Sequence, residues 1–133
     1  MSEAYDQYQN LTLKEKVYIK RYPSHILIIK ETKEKAFKQT KKLFGFNGHN
    51  DKSDAFRHCY WSALLSKEIG YANALVFTTA HESSPLNPKN EKSMDLHNNL
   101  FGLKIGLHKK SDSMMSMQCI MALKKGQLKV IRP

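Results

Sequence analysis

Residues 54–68 read DAFRHCYWSALLSKE, and this stretch decides the fold. Asp54, His58, Trp61 and Leu65 lie at i, i+4, i+7 and i+11, which is the spacing of one continuous stripe along an α-helix. A carboxylate and an imidazole four residues apart on a helix are neighbours. The stretch therefore predicts a helix on which Asp54 and His58 touch.

Start and stop signals on both sides of this helix predict an all-α fold of five or six helices joined by short loops. Serine, threonine and aspartate mark the starts as N-caps, and glycine or proline marks the ends. The predicted helices are Thr12 to Tyr22, Ser24 to Gly45, Asp54 to about Glu68, Tyr71 to about Glu82, Lys92 to Gly106, and Ser113 to Lys125. Residues 127–131 alternate in polarity and predict a short extended tail.

The length of 133 residues is typical of a single domain. Within it we expect a polar lead-in at 1–10, a motif-bearing core at 11–106, and a C-terminal helix and tail at 107–133. The fourth helix is so apolar that we expect other helices to surround it almost completely. On the fifth helix we expect the core face to be the one that carries the leucines, which are Leu96, Leu100 and Leu103.

The chain is strongly basic, with a formal net charge of +10. Such an excess favours anionic partners such as nucleic acid, lipid headgroups or cell-wall polymer, although a solvated lysine-rich surface explains it equally well. The N-terminus is polar and acidic, which argues against a Sec-type signal peptide, and no apolar run is long enough to predict a transmembrane segment. We therefore expect synthesis in the cytoplasm and, for action elsewhere, a signal-independent secretion system. Cys59 and Cys119 lie in apolar patterns and predict buried thiols.

Three polar clusters fall between residues 54 and 99. They are Asp54, Arg57 and His58; His81 and Glu82; and Asp95, Asn98 and Asn99. Each also has a structural interpretation: a surface ion pair, a last-turn histidine stabilised by the helix dipole, and an asparagine pair bonded to loops. Because a short helical domain has one interior, we expect the clusters to converge, whereas His97 lies off the face of its neighbour Asp95.

Converged, these residue types suit metal-assisted or general acid–base hydrolysis. The candidate catalytic residues are Asp54, Arg57, His58, His81 and Glu82; the candidate metal ligands are His58, His81, Glu82 and Asp95; the candidate substrate-binding residues are Asn98 and Asn99. Imidazole and carboxylate together suit a divalent metal such as Zn²⁺ better than Ca²⁺. Either Glu82 or His58 would activate water. The chain has no His-Glu-x-x-His, Cys-x-x-Cys, P-loop or Gly-x-Ser-x-Gly motif.

The matching strings for a family resemblance are Asn47-Gly48, Asp54-Ala55-Phe56-Arg57-His58-Cys59-Tyr60-Trp61, Ala80-His81-Glu82 and Met94-Asp95-Leu96-His97-Asn98-Asn99. They resemble a bacterial helical domain of unassigned function that occurs at the C-termini of Rhs-type and wall-associated polymorphic toxins, and as small stand-alone proteins. The resemblance covers about Leu11 to Gly106. It implies a helical effector used against competing bacteria, with a cognate immunity protein as partner, and brings no settled reaction. Residues 50–53 depart from it, because a Gly-Pro or Gly-Gly pair is usual there.

The order of His58, His81-Glu82 and Asp95 is also similar to that of the HD superfamily of metal phosphohydrolases, which are all-α. The last interval is much shorter here, and Glu82 replaces the aspartate. This similarity implies that such ligands suit a divalent metal and a phosphoester.

Three hypotheses about function follow from the sequence. The first is a small basic hydrolase, metal-assisted, that acts on a phosphoester, nucleic acid, phospholipid or cell-wall polymer as a bacterial effector. The second is a non-catalytic basic module that binds nucleic acid or an acidic partner, with the clusters as a buried polar network. The third is a lipid-directed effector that uses the methionines of the sixth helix, although that spacing is more typical of core packing.

Overall fold

The computed structural model describes residues 10–133 and confirms the all-α fold, with six helices and no strand in that range. The helices are α1 (Leu13–Arg21), α2 (Ile26–Phe44), α3 (Lys52–Ile69), α4 (Tyr71–His81), α5 (Lys89–Gly106) and α6 (Asp112–Lys124). A single 3₁₀ turn, Pro23–His25, links α1 to α2. The predicted lead-in at residues 1–9 lies outside the described residues.

Local hydrogen bonds account for where these helices begin. Thr12 and Glu15 form a capping box at α1, in which each side chain accepts a hydrogen bond from the other residue's backbone amide. Asp51 caps α3 by accepting from the Asp54 amide, and Ser111 caps α6 in the same way. Gly45, at a φ of 84°, ends α2 in the left-handed conformation that glycine adopts without strain.

The central helix is α3, which packs against α2, α4, α5 and α6. Its closest neighbour is α5, and two glycines of α5 make that approach possible. A Cβ added at Gly102 would overlap the carbonyl oxygen of Cys59, and one added at Gly106 would overlap that of Ala63. The backbones of the two helices are therefore nearly in contact, which brings the polar residues of α5 against α3.

The packing of α5 is the reverse of the sequence prediction. Its buried face carries Asp95, Asn98 and Asn99, whereas Leu100 is 39% exposed and only Leu103 of the three leucines is fully buried. The prediction was wrong because the interior of this domain holds a hydrogen-bonded polar network as well as an apolar core. Burial of such groups is tolerated where each finds a partner.

The prediction for α4 was also wrong, because one side of this helix is open. Leu75 and Val76 are exposed, while Ala74 and Phe77 face the core. Cys59 and Cys119, in contrast, are fully buried as predicted, and their sulfur atoms lie 3.0 Å apart between α3 and α6. Among the described residues, no helix is both long and apolar enough to cross a membrane.

The C-terminal tail is held by side chains of α5 and by the turn before α3. The Asn98 amide donates to the Lys129 carbonyl over 2.9 Å and accepts from the Lys129 amide over 2.8 Å. The amides of Ile131 and Arg132 both donate to the Asn50 carbonyl. Asn98 thus pairs with the tail as a neighbouring strand would, although residues 127–131 form no strand.

Candidate active site

His58 lies at the centre of the polar network, between carboxylates from three helices or their ends. Its Nε2 atom is 3.2 Å from Oδ1 of Asp54, one turn earlier on α3, and 3.4 Å from Oδ1 of Asp95 on α5. Both carboxylates are almost fully buried, and the imidazole is largely so. The predicted contact between Asp54 and His58 is therefore present in the structure, and Asp95 joins it.

The opposite ring nitrogen of His58 faces an amide and a third carboxylate. Nδ1 lies 3.2 Å from Oδ1 of Asn99 and 3.7 Å from Oε2 of Glu82. The Asn99 amide donates to Glu82, and its oxygen also accepts from the Ser62 hydroxyl. With Nδ1–H donating to Asn99, the neutral imidazole carries its lone pair on Nε2, on the side of Asp54 and Asp95.

The charges of this cluster shift the pKa values of its members in opposite directions. Burial acts to lower the pKa of His58, but the hydrogen bond that His58 donates to Asp54 and the negative charges of Asp95, Asp54 and Glu82 outweigh it and raise that pKa. Burial raises the pKa of Asp95 to about 7, helped by the charges of Glu82 and Asp54 and opposed by that of His58. For Asp54, burial is outweighed by His58, by the Asn50 amide and by Arg57, which together lower its pKa.

Arg57 connects Asp54 to the turn that precedes α3. Its guanidinium donates to Oδ1 of Asp54, to the Gly48 carbonyl over 3.1 Å and to the Asn47 side chain over 3.2 Å. It also lies over the ring of Phe37, with 4.8 Å from Cζ to the ring centroid. Arg57 therefore fixes the orientation of the Asp54 carboxylate and of the Asn47–Gly48 turn together.

A small cavity of about 150 Å³ opens beside His58. It is lined by Lys33, Ala36, Phe37, Arg57, His58, Trp61 and His81, so α2, α3 and the end of α4 all contribute. In addition to His58, the side chains of Lys33, Arg57 and His81 are cationic or can become so. The cavity thus has a basic lining next to a carboxylate cluster, which is an arrangement suited to an anion approaching a cation.

His81 belongs to this cavity but lies in a separate hydrogen-bonded pair. Its Nδ1 atom is 2.9 Å from Oε2 of Glu15, a buried residue of α1, and its ring stands edge-on to Trp61 with centroids 5.2 Å apart. Burial acts to raise the pKa of Glu15, but the hydrogen bond and the charge of His81 outweigh it and lower that pKa.

Three donor atoms are close enough together to share one metal ion. Asp54, His58 and Asp95 each offer an atom, and these atoms lie within 4.8 Å of one another. Oδ1 of Asp95 is buried and has no hydrogen-bond partner among the described residues, although a buried carboxylate oxygen ordinarily has one. Two carboxylate oxygens and one imidazole nitrogen are ligands that Zn²⁺ and similar transition metals accept, so the residues present fit a divalent metal.

Comparison with known families gives one match. The family described as "Domain of unknown function (DUF6973)" matches residues 16–127, which is most of the chain. The chain belongs to the DUF6973 family. No curated protein and no solved structure matches this DUF6973 chain.

Six of the eight residues that the sequence predicts for the site of this DUF6973 domain meet in the structure. The structure brings Asp54, Arg57, His58, Glu82, Asp95 and Asn99 together, and His81 lines the adjoining cavity. Of the predicted metal ligands, it does not place His81 or Glu82 among the grouped metal-binding atoms, which come from Asp54, His58 and Asp95. Asn98 is directed away from this network, because both ends of its amide are bonded to the backbone of Lys129.

Sequence reasoning missed three residues of the site. Glu15, Lys33 and Ser62 have no site role in the sequence prediction, but they respectively pair with His81, line the cavity and donate to Asn99. The sequence does contain one signal for Glu15, since a capping box uses a single carboxylate oxygen and leaves the other for a distant partner. The contact with His81, 66 residues further along the chain, is visible only in the fold.

Proposed function

We propose that this protein is a metal-assisted hydrolase that acts on an anionic substrate. The observation that carries the proposal is the buried Oδ1 of Asp95, which has no hydrogen-bond partner among the described residues, lies 3.4 Å from Nε2 of His58 and is grouped with Asp54. A buried carboxylate oxygen without a donor costs free energy, and a metal ion would satisfy it. The basic lining of the adjoining cavity supports an anionic substrate over a neutral one.

Each residue of the site would have its own role in the proposed hydrolysis. Asp54, His58 and Asp95 would hold the ion, which when bound supplies an acidified water and an electrophile for the substrate oxygen. Asn99 keeps Nε2 of His58 as the lone-pair nitrogen by accepting from Nδ1. Arg57 holds Asp54 in place. Glu82 accepts from Asn87 and Asn99, lies beside the His58 ring and does not line the cavity.

The biological setting is part of the same proposal. The motifs that resemble those of polymorphic bacterial toxins include the residues that meet at this site, namely Asp54, Arg57, His58, Glu82, Asp95 and Asn99. This coincidence supports a role as an antibacterial effector with a cognate immunity protein. A phosphoester, in nucleic acid, phospholipid or cell-wall polymer, is the substrate class that suits both the metal ligands and the basic cavity.

Activity and toxicity tests can overturn this proposal. Purified wild-type protein should hydrolyse bis(p-nitrophenyl) phosphate in the presence of Zn²⁺ or Mn²⁺, and its expression should arrest growth of a sensitive bacterium. His58→Ala and His81→Ala should each remove both effects, because each ring lines the cavity. His108→Ala, an exposed histidine outside the site, is the matched control and should behave as wild type. Full activity and toxicity in His58→Ala would refute the assignment.

A second function remains supported by the surface of the protein. The lysines at 30–42 and 104–129 are mostly exposed, so a non-catalytic module that binds nucleic acid or an acidic partner accounts for the net charge of +10. It predicts binding that weakens steeply with salt and depends on those lysines. Under this alternative, His58→Ala would lower stability and leave nucleic-acid affinity unchanged.

A further inference from the structure

Trp61 has a buried indole N–H that the proposed metal site does not explain. The side chain is 5% exposed and lines the cavity, yet its indole Nε1–H is buried and has no acceptor among the described residues. Trp61 is the only tryptophan of the chain. A buried indole N–H nearly always has a hydrogen-bond partner. Because the Trp61 side chain lines the cavity, a ligand bound there would supply the missing acceptor.

His81 supplies a second donor to the same cavity, and its orientation is fixed by Glu15. Glu15 accepts from Nδ1 of His81 through one carboxylate oxygen and from the Thr12 amide through the other. The carboxylate is buried, and both of its oxygens have hydrogen-bond donors. With Nδ1 occupied, Nε2 is the ring nitrogen left for a ligand, and in the protonated ring it donates a hydrogen bond.

Lys33 completes the basic side of the cavity. Its side chain makes no hydrogen bond or ion pair in the part of the chain that the structure describes, and it stands one turn from Ala36 and Phe37 on the cavity wall. Arg57 lines the cavity too, but its guanidinium is already shared among Asp54, Gly48 and Asn47. Lys33 is thus the cation there that is available for a ligand.

We propose that Trp61, His81 and Lys33 form a binding site for a phosphate group, with Glu15 as the positioning residue of His81. Donors that come from three separate helices or their ends suit a tetrahedral anion with several oxygens better than a planar carboxylate with two. The same cavity is lined by His58, so the site would hold the anion beside the proposed metal ligands. The inference deepens the proposed function, since it names the substrate group that this cavity takes.

The experiment is a titration of the full-length protein with inorganic phosphate, followed by ¹H–¹⁵N NMR. The single indole N–H resonance reports Trp61 directly, and the ring nitrogens of His81 are assigned by comparison with His81→Asn. Phosphate should shift both signals along one binding curve, whereas acetate at the same ionic strength should shift neither. Lys33→Ala should weaken phosphate roughly tenfold, because it removes a charge-assisted contact. Lys38→Ala, an exposed lysine of the same helix outside the cavity, should leave the affinity unchanged.

The Glu15→Gln variant tests whether Glu15 positions the His81 ring or only stabilises the fold. It should weaken phosphate binding, because the His81 ring loses the contact that leaves Nε2 for the ligand, and it should change the two ring ¹⁵N shifts of His81. An indole signal unmoved by phosphate, or equal affinities in wild type and Lys33→Ala, would overturn the phosphate site.

The proposed metal site can be tested independently of the proposed phosphate site. Asp95→Asn should lose Zn²⁺ binding and keep the phosphate response of Trp61 and His81. Phosphate binding without any metal binding would therefore support this inference while removing the hydrolase proposal. Metal binding with no phosphate response would remove the inference alone.

Discussion

Oδ1 of Asp95 lies 3.4 Å from Nε2 of His58 and has no hydrogen-bond partner among the described residues. Asp54 contacts the same nitrogen over 3.2 Å, so two buried carboxylates from α3 and α5 share one imidazole. Burial raises the pKa of Asp95 to about 7, helped by the charges of Glu82 and Asp54, so without a metal its ionised form is unfavourable. Functional sites commonly retain such unfavourable groups at a cost in stability.

Asp95→Asn should therefore stabilise the metal-free protein, or at least leave its stability unchanged. The substitution removes one buried negative charge and keeps the size of the side chain, and a gain of about 1 kcal/mol is expected. Thermal unfolding in EDTA measures it. The control is Asp112→Asn, whose carboxylate forms surface ion pairs with Lys35 and Lys67 and should lose about 0.2–1 kcal/mol. A large loss of stability in Asp95→Asn would show that the carboxylate is a structural group.

Asn98→Ala should lower stability without affecting the site. Both of its hydrogen bonds go to the backbone of Lys129, and their loss should reduce the free energy of unfolding by about 1–3 kcal/mol. Denaturant unfolding, together with Zn²⁺ titration of the folded protein, tests both halves of the expectation. Asn99→Ala is the neighbouring comparison and should weaken Zn²⁺ binding, since Asn99 orients His58. Equal metal affinities in the two variants would contradict this division of roles.

Gly102→Ala should be among the most damaging substitutions in the chain. The new methyl group would collide with the Cys59 carbonyl, a backbone atom that cannot move unless α3 and α5 separate. We expect a loss of about 3 kcal/mol or more, or failure to fold. Gly45→Ala is the control: its position has a φ of 84° but open space, so backbone strain of about 1–2 kcal/mol is the whole cost. Similar midpoints of chemical unfolding for the two variants would argue against the close helix contact.

The pair of Glu15 and His81 should make stability depend on pH in acid. The pKa of Glu15 is lowered in the folded protein from its ordinary value of 4.5, so its contribution is fully present above that pH and disappears as the pH falls through the folded value. Glu15→Gln should cost about 1.5–3 kcal/mol at pH 7 and progressively less below pH 4.5. Paired unfolding curves of wild type and variant across this range provide the measurement. A difference that stays constant down to pH 3 would contradict the linkage.

The sequence predicted the parts of this structure that depend on local signals. Caps at Thr12, Asp51 and Ser111 and stops at Gly45 place the helices within a few residues of where they lie. The contact of Asp54 with His58 follows from helical spacing alone. Helix caps and i, i+4 contacts depend only on residues close together in the sequence, so a single sequence is enough to predict them.

What could not be predicted depends on how the helices face each other. Asn98 and Asn99 are adjacent and chemically identical, yet one binds the tail and the other the imidazole of His58. The leucine face of α5 predicted the wrong buried side, because the glycines that allow α5 to approach α3 closely lie on its polar face. Glu15 meets His81 only after α1 packs against α4.

Calorimetric titration of the metal-free protein with Zn²⁺ tests the central claim most directly. We predict one ion per chain for the wild type, loss of binding in Asp95→Asn and His58→Ala, and unchanged binding in His81→Asn, since His81 lies outside the grouped donor atoms. Absence of binding by the wild type, or binding that survives both Asp95→Asn and His58→Ala, would contradict the account.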